Sequence, residues 1–139
     1  MSASDDEKAP SLQGCSPIGH NRLPGHQAGG WPPRECPECR KLFEPDRANQ
    51  LFCCSEHNTA WANRATVRGR VLTPFSMVAR ITRDGTRGTP EEREIGKRAA
   101  RKARELIQKH RDEDKAAGRM PWARYMILRV ELGLYEELR

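Results

Sequence analysis

The stretch that decides the fold runs from Cys36 to Arg64: CPECRKLFEPDRANQLFCCSEHNTAWANR. Its first four residues form a Cys-x2-Cys knuckle, which folds the chain back and can bring two sulfurs onto one ion. After thirteen intervening residues come Cys53 and, at i+4, His57. A pair at that spacing at a helix start shares one helical face. The spacing Cys36-x2-Cys39-x13-Cys53-x3-His57 therefore supplies the four soft or borderline donors that a closed tetrahedral zinc site requires. Cys54 competes with Cys53 for the third position, since Cys54-x2-His57 is also a usable pair. Between the two halves, Leu42-Phe43 and Leu51-Phe52 flank the polar turn PDRAN, and they predict a hairpin of two short strands. Such a hairpin is marginal alone in water, which is a reason for a metal to hold it.

The same residues carry a resemblance. Cys36, Cys39, Lys41, Phe43, Pro45, Phe52, Cys53, His57, Trp61 and Arg64 match the pattern C-P-x-C-x-K/R-x-F-x-P, a polar turn, then F-C-S-x-x-C/H and a helix. This resembles the short treble-clef-like (FCS-type) zinc fingers of small bacterial and phage proteins. The likeness implies a small α+β finger of knuckle, β-hairpin and helix. It implies zinc as cofactor, and it is compatible with nucleic-acid binding, protein docking or plain stabilisation. The sequence departs from the pattern at two places: the last ligand is histidine, and Cys54 stands where the pattern has serine.

Outward from the finger, the chain of 139 residues is polar and basic, with 32% charged residues, mean hydropathy −0.86 and formal net charge +6. One modest domain is expected, with part of the chain outside any core. Five cysteines, an odd number with four crowded between 36 and 54, argue against a disulfide framework. The acidic start MSASDDEKAP lacks the character of a signal peptide, and no apolar run is long enough for a membrane helix. A cytoplasmic setting is the expectation. Residues 1–33, rich in proline and glycine and holding Cys15, His20 and His26, are expected to be disordered. The finger is assigned to 34–69 and a basic helical region to 70–139.

Helical signals begin at Ser55, a plausible N-cap. Gly69 is read as ending or bending that helix, and Thr73-Pro74 as starting another, with Met77, Val78 and Ile81 apolar. Thr89-Pro90-Glu91-Glu92 is a capping box that opens a helix to about Ala117, stopped by Gly118. Its expected apolar face is Ile95, Ala99, Ala103, Leu106, Ile107 and His110. A last helix near 121–133 carries Trp122, Met126 and Val130 in one stripe.

Between Ala60 and Arg111 there are fourteen Lys/Arg against five Asp/Glu. Such an excess suits phosphate contacts, and Arg64, Arg68, Arg70, Arg98, Arg101 and Lys102 are the candidate nucleic-acid-binding residues. The competing view is a solvated face held by the i, i+4 pairs Glu94–Arg98 and Glu105–Lys109. Around the metal, Arg34, Arg40 and Lys41 can offset the anionic charge of three thiolates on one zinc. Four good donors leave no open position for water, and a His57-Asn58 nuclease of the HNH type lacks a second histidine to accompany Asp46 or Glu56. No enzyme is expected. Two functions follow: a DNA- or RNA-binding accessory or regulatory protein, or a protein-interaction adaptor docking a partner through Trp122, Tyr125, Met126 and Leu134.

Overall fold

A computed structural model describes residues 31–135 of the chain. The expectations for residues 1–30, including Cys15, His20 and His26, lie outside the described residues. Two short strands and three helices are present: β1 (Arg34–Glu35), β2 (Leu42–Phe43), α1 (Ser55–Ile81), α2 (Pro90–Ala116) and α3 (Trp122–Glu131). The described chain is mostly helical. Two compact units divide it: residues 31–61 with 114–135, and residues 62–113.

The hairpin differs from the one expected. β2 pairs antiparallel with β1, Arg34 opposite Phe43 and Glu35 opposite Leu42, rather than with Leu51-Phe52. The cause is local. The knuckle is itself the turn: the Cys36 amide donates to the Lys41 carbonyl at 3.0 Å and the Arg40 amide to the Cys36 carbonyl at 2.7 Å. Arg40 takes a left-handed φ of 66° to close it. The segment 46–52 is instead tied to itself through Gln50. The Gln50 side chain accepts from the Asp46 amide at 2.8 Å and donates to the Phe52 carbonyl at 2.9 Å. With its carbonyl taken, Phe52 enters the core from a coil and not from a ladder.

Phe43, Phe52, Trp61, Met120 and Tyr125 are buried together with Cys36. The rings of Trp61 and Tyr125 lie 4.7 Å apart, and those of Trp61 and Trp122 4.9 Å apart. Aromatic pairs at such spacings add about 0.5–1.5 kcal/mol each beyond area burial. Met120, 1% exposed, sits in this core, and its amide donates to the Pro37 carbonyl at 2.9 Å. The buried Asp114 carboxylate holds the connection from α2 to α3, accepting from Arg119 Nε at 2.9 Å and Trp122 Nε1 at 3.0 Å. In α3 the inward residues are Tyr125 and, packed against the core, Leu128. Trp122 and Met126, expected in the apolar stripe, remain 39% and 38% exposed.

In the second unit the helix does not stop at Gly69 or restart at Thr73-Pro74; α1 runs unbroken through both. A proline inside a helix costs about 3 kcal/mol, and a glycine about 1. The helix nevertheless continues, with Trp61 buried before them and Ala79 and Thr82 buried beyond. The capping box forms as read, the Thr89 amide donating to Glu92 Oε2 at 2.7 Å and the Glu92 amide to Thr89 Oγ1 at 3.1 Å. The buried face of α2 is made of small residues, Gly96, Ala99, Ala100 and Ala103. Ile95 and Ile107, expected on it, are 48% and 44% exposed. Gly96 lies against Thr82 and Gly85, and Arg68 of α1 pairs with Glu113 of α2 at 3.0 Å. Those two contacts set the helices antiparallel.

Candidate functional site

Cys36, Cys39, Cys53 and His57 converge, their donor atoms all within 4.8 Å of one another. The knuckle delivers Cys36 and Cys39. The first turn of α1 delivers His57, with Cys53 just before it. Cys36 and His57 are buried, while Cys39 and Cys53 are partly so. Three of the separations are close to the edges of a metal-sized tetrahedron. With Zn–S near 2.3 Å and Zn–N near 2.0–2.1 Å, the sulfur–sulfur edge is about 3.8 Å and the sulfur–nitrogen edge about 3.6 Å. Cys39 Sγ lies 3.8 Å from Cys53 Sγ, and His57 Nδ1 lies 3.7 Å from Cys36 Sγ and 3.3 Å from Cys53 Sγ. Of the two competing cysteines, Cys53 stands in the group. Cys54 is outside it, its sulfur 3.9 Å from that of Cys53.

Without a metal this arrangement is electrostatically uncomfortable. Burial, aided by the Coulombic effect of Cys39, pushes the Cys36 thiol up. Burial pushes the Cys53 thiol up too, with the neighbouring Cys36 and Cys39 adding to it. A cation at the centre reverses both effects, because it pays for the desolvated thiolates directly. His57 Nε2 is buried and has no hydrogen-bond partner among the described residues. The imidazole is therefore oriented by packing, with Nδ1 towards the sulfurs. The four donors could hold a metal ion between them.

The expected offset of thiolate charge by flanking cations is weaker than the sequence suggests. Arg34 donates to the Ala48 and Gln50 carbonyls at 2.9 and 2.7 Å, and Arg40 pairs with Glu35 at 3.0 Å. Both serve the finger's loops.

The six candidate nucleic-acid residues divide. Arg68 is committed to Glu113, its side chain 11% exposed, and Arg64 is half-buried. Arg70, Arg98, Arg101 and Lys102 are exposed, and none of them makes an ion pair among the described residues. The i, i+4 pairs expected to neutralise α2, Glu94–Arg98 and Glu105–Lys109, are not formed. The expected docking set also divides: Tyr125 is 7% exposed and belongs to the core, while Trp122 and Met126 are partly exposed. Met120 was not legible as a partner of the cysteine knuckle, nor Asp114 as the anchor of the α2–α3 connection, since neither has a periodic or motif signal. Among the described residues, no helix is long and apolar enough to cross a membrane. No protein-family model, curated protein or solved structure matches the chain.

Proposed function

We propose that the chain is a zinc-stabilised nucleic-acid-binding accessory protein of the treble-clef-like, FCS-type kind, without catalytic activity. Zinc is the metal favoured by three thiolates and one imidazole at tetrahedral spacing. Its part is structural: it joins the knuckle to the start of α1 and leaves no coordination position for water. The carrying observation for the partner is that exposed cations of α1 and α2, Arg70 and Arg101 among them, are neutralised by no carboxylate among the described residues. Solvated cations of this kind gain free energy from phosphate by releasing condensed counterions. The test is retention of zinc-loaded protein on labelled DNA and RNA at low salt. Retention that weakens steeply with salt is expected; no retention on either polymer removes the reading.

The adaptor reading keeps one observation of its own. Val67, Val71, Met77 and Ile81 are each at least half exposed and lie within an arc of about 120° on α1. A stoichiometric protein partner, lost on Val71→Glu while nucleic-acid retention is unchanged, would favour it.

A further inference from the structure

The cations of α2 are not scattered. At about 100° per residue, Arg93, Lys97, Arg101, Arg104 and Arg111 fall within an arc of about 80°, spaced 4, 4, 3 and 7 residues apart, and Lys115 in the last turn lies in the same arc. The gap in the last step is filled by Gln108. No carboxylate falls within the arc. Glu94, Glu105 and Asp112 form a separate row along one edge, and beyond them Arg98, Lys102 and Lys109 make a second cationic group, mixed with Glu91. All five residues of the first row are exposed, and none makes an ion pair among the described residues. Arg93 alone is engaged, donating to the Gly88 carbonyl. At 1.5 Å per residue the row is about 27 Å long.

We infer that this row is a docking strip for the phosphate backbone of a nucleic-acid duplex, and that Arg93, Lys97, Arg101, Arg104 and Arg111 are the contacting residues. The inference rests on the nucleic-acid reading above and narrows it. A straight, rigid line of charge matches a stiff polyanion of regular pitch. A flexible single strand is held differently, by aromatic platforms on which bases stack. α2 has no Phe, Tyr or Trp anywhere along its length. Four of the five cations are arginine, whose fork suits phosphate oxygens. Nothing in the row pairs an Asn or Gln with a neighbour free to read a base edge, since the Gln108 amide donates to Asp112. The contacts inferred here are to the phosphate backbone, which carries no sequence information.

Two triple variants of equal charge separate this row from general basicity. Arg101→Gln/Arg104→Gln/Arg111→Gln removes the row, and Arg98→Gln/Lys102→Gln/Lys109→Gln removes the second group. Glutamine keeps the helical propensity of both, and circular dichroism checks it. Affinities of the zinc-loaded full chain are measured from 50 to 200 mM salt on a 30-base-pair DNA duplex, an RNA duplex of the same sequence and the corresponding single strands. Five phosphate contacts give a log–log slope near −4.5 on the DNA duplex, a loss of about 500-fold over that range. The row variant should fall to a slope near −1.8, a loss of about 12-fold, and the second-group variant should keep the wild-type slope. Retention on either duplex supports the strip, and the two duplex arms show which polymer it takes. Equal slopes for the two variants, or single strands binding as tightly as duplexes, overturn the strip and leave nucleic-acid binding standing. No binding to any of the polymers overturns both readings.

Discussion

Gly96→Ala sets two effects of opposite sign against each other. In a solvent-exposed helix interior the substitution stabilises by about 1 kcal/mol. Here a Cβ at position 96 would overlap Thr82 Oγ1 and stand 2.8 Å from Thr82 Cβ and 3.1 Å from the Gly85 Cα. Two of these atoms are close to or part of the backbone, so no flexible side chain can swing away. Thr82 is also pinned. Its hydroxyl donates to the Val78 carbonyl at 2.8 Å and accepts from the Gly85 amide at 3.1 Å. Gly85 has φ 91°, so the turn cannot relax by changing residue type. Overpacking costs about 1–3 kcal/mol. Losing either Thr82 hydrogen bond adds about 1 kcal/mol. The sum, less the propensity gain, is a net destabilisation of about 1–3 kcal/mol. Urea denaturation followed by circular dichroism reads this as a lower midpoint at unchanged slope. The double variant Gly96→Ala/Thr82→Ala should recover part of the loss, because it removes Thr82 Oγ1, the nearest of the clashing atoms, while Thr82 Cβ stays. A midpoint for Gly96→Ala above that of the wild type would refute the close approach of α1 and α2 at this point.

Three other outcomes are expected. Cys53→Ser should lose stoichiometric zinc on dialysis, whereas Cys54→Ser should retain it; the reverse pattern in metal analysis would reassign the third ligand. Asp114→Ala leaves Arg119 half of a nearly buried pair and takes the acceptor from Trp122, so it should cost about 2–4 kcal/mol after allowing for partial exposure. Asp114→Asn keeps an acceptor and should cost less, with the Trp122 emission shift as the local readout. The pH dependence changes sign with metal. Burial raises the Cys36 and Cys53 thiols in the metal-free fold, so that fold holds protons which the unfolded chain gives up near pH 8.5. Its stability is intact below that value and falls as pH rises above it. Zinc binding instead requires three thiolates, and below pH 8.5 the apparent affinity should climb by about three log units per pH unit. Chelator competition at three pH values measures the slope; a slope near zero would mean the thiols are not the ligands.

The Cys/His group was legible because its spacing is local: Cys36 with Cys39, and Cys53 with His57, are each set by one turn of backbone. The Thr89 capping box was legible for the same reason. Thr73-Pro74 misled because a proline at a helix start and a proline inside a helix share one dipeptide, and burial on both sides decides between them. The face of α2 was legible in part: Ala99 and Ala103 are buried as expected, but Gly96 and Ala100 complete that face while Ile95 and Ile107 stay largely exposed. β1 is two residues long and carries no alternation to read. Met120 was beyond reach, since a lone methionine between Gly118 and Pro121 gives no sign that it will meet the knuckle.

The bond from the Met120 amide to the Pro37 carbonyl has a consequence in time. The cysteine knuckle is synthesised first, and the residue that covers it comes more than eighty residues later. At about 5–20 residues per second, that is a wait of roughly 4–17 s. Through it the thiols of Cys36, Cys39 and Cys53 lack the Met120 and Tyr125 cover of the finished core. They stand open to oxidants and to competing thiophilic ions during that interval. The Cys/His group is therefore covered late although its residues are made early, and any metal it takes has to compete with oxidation while the chain is still being made.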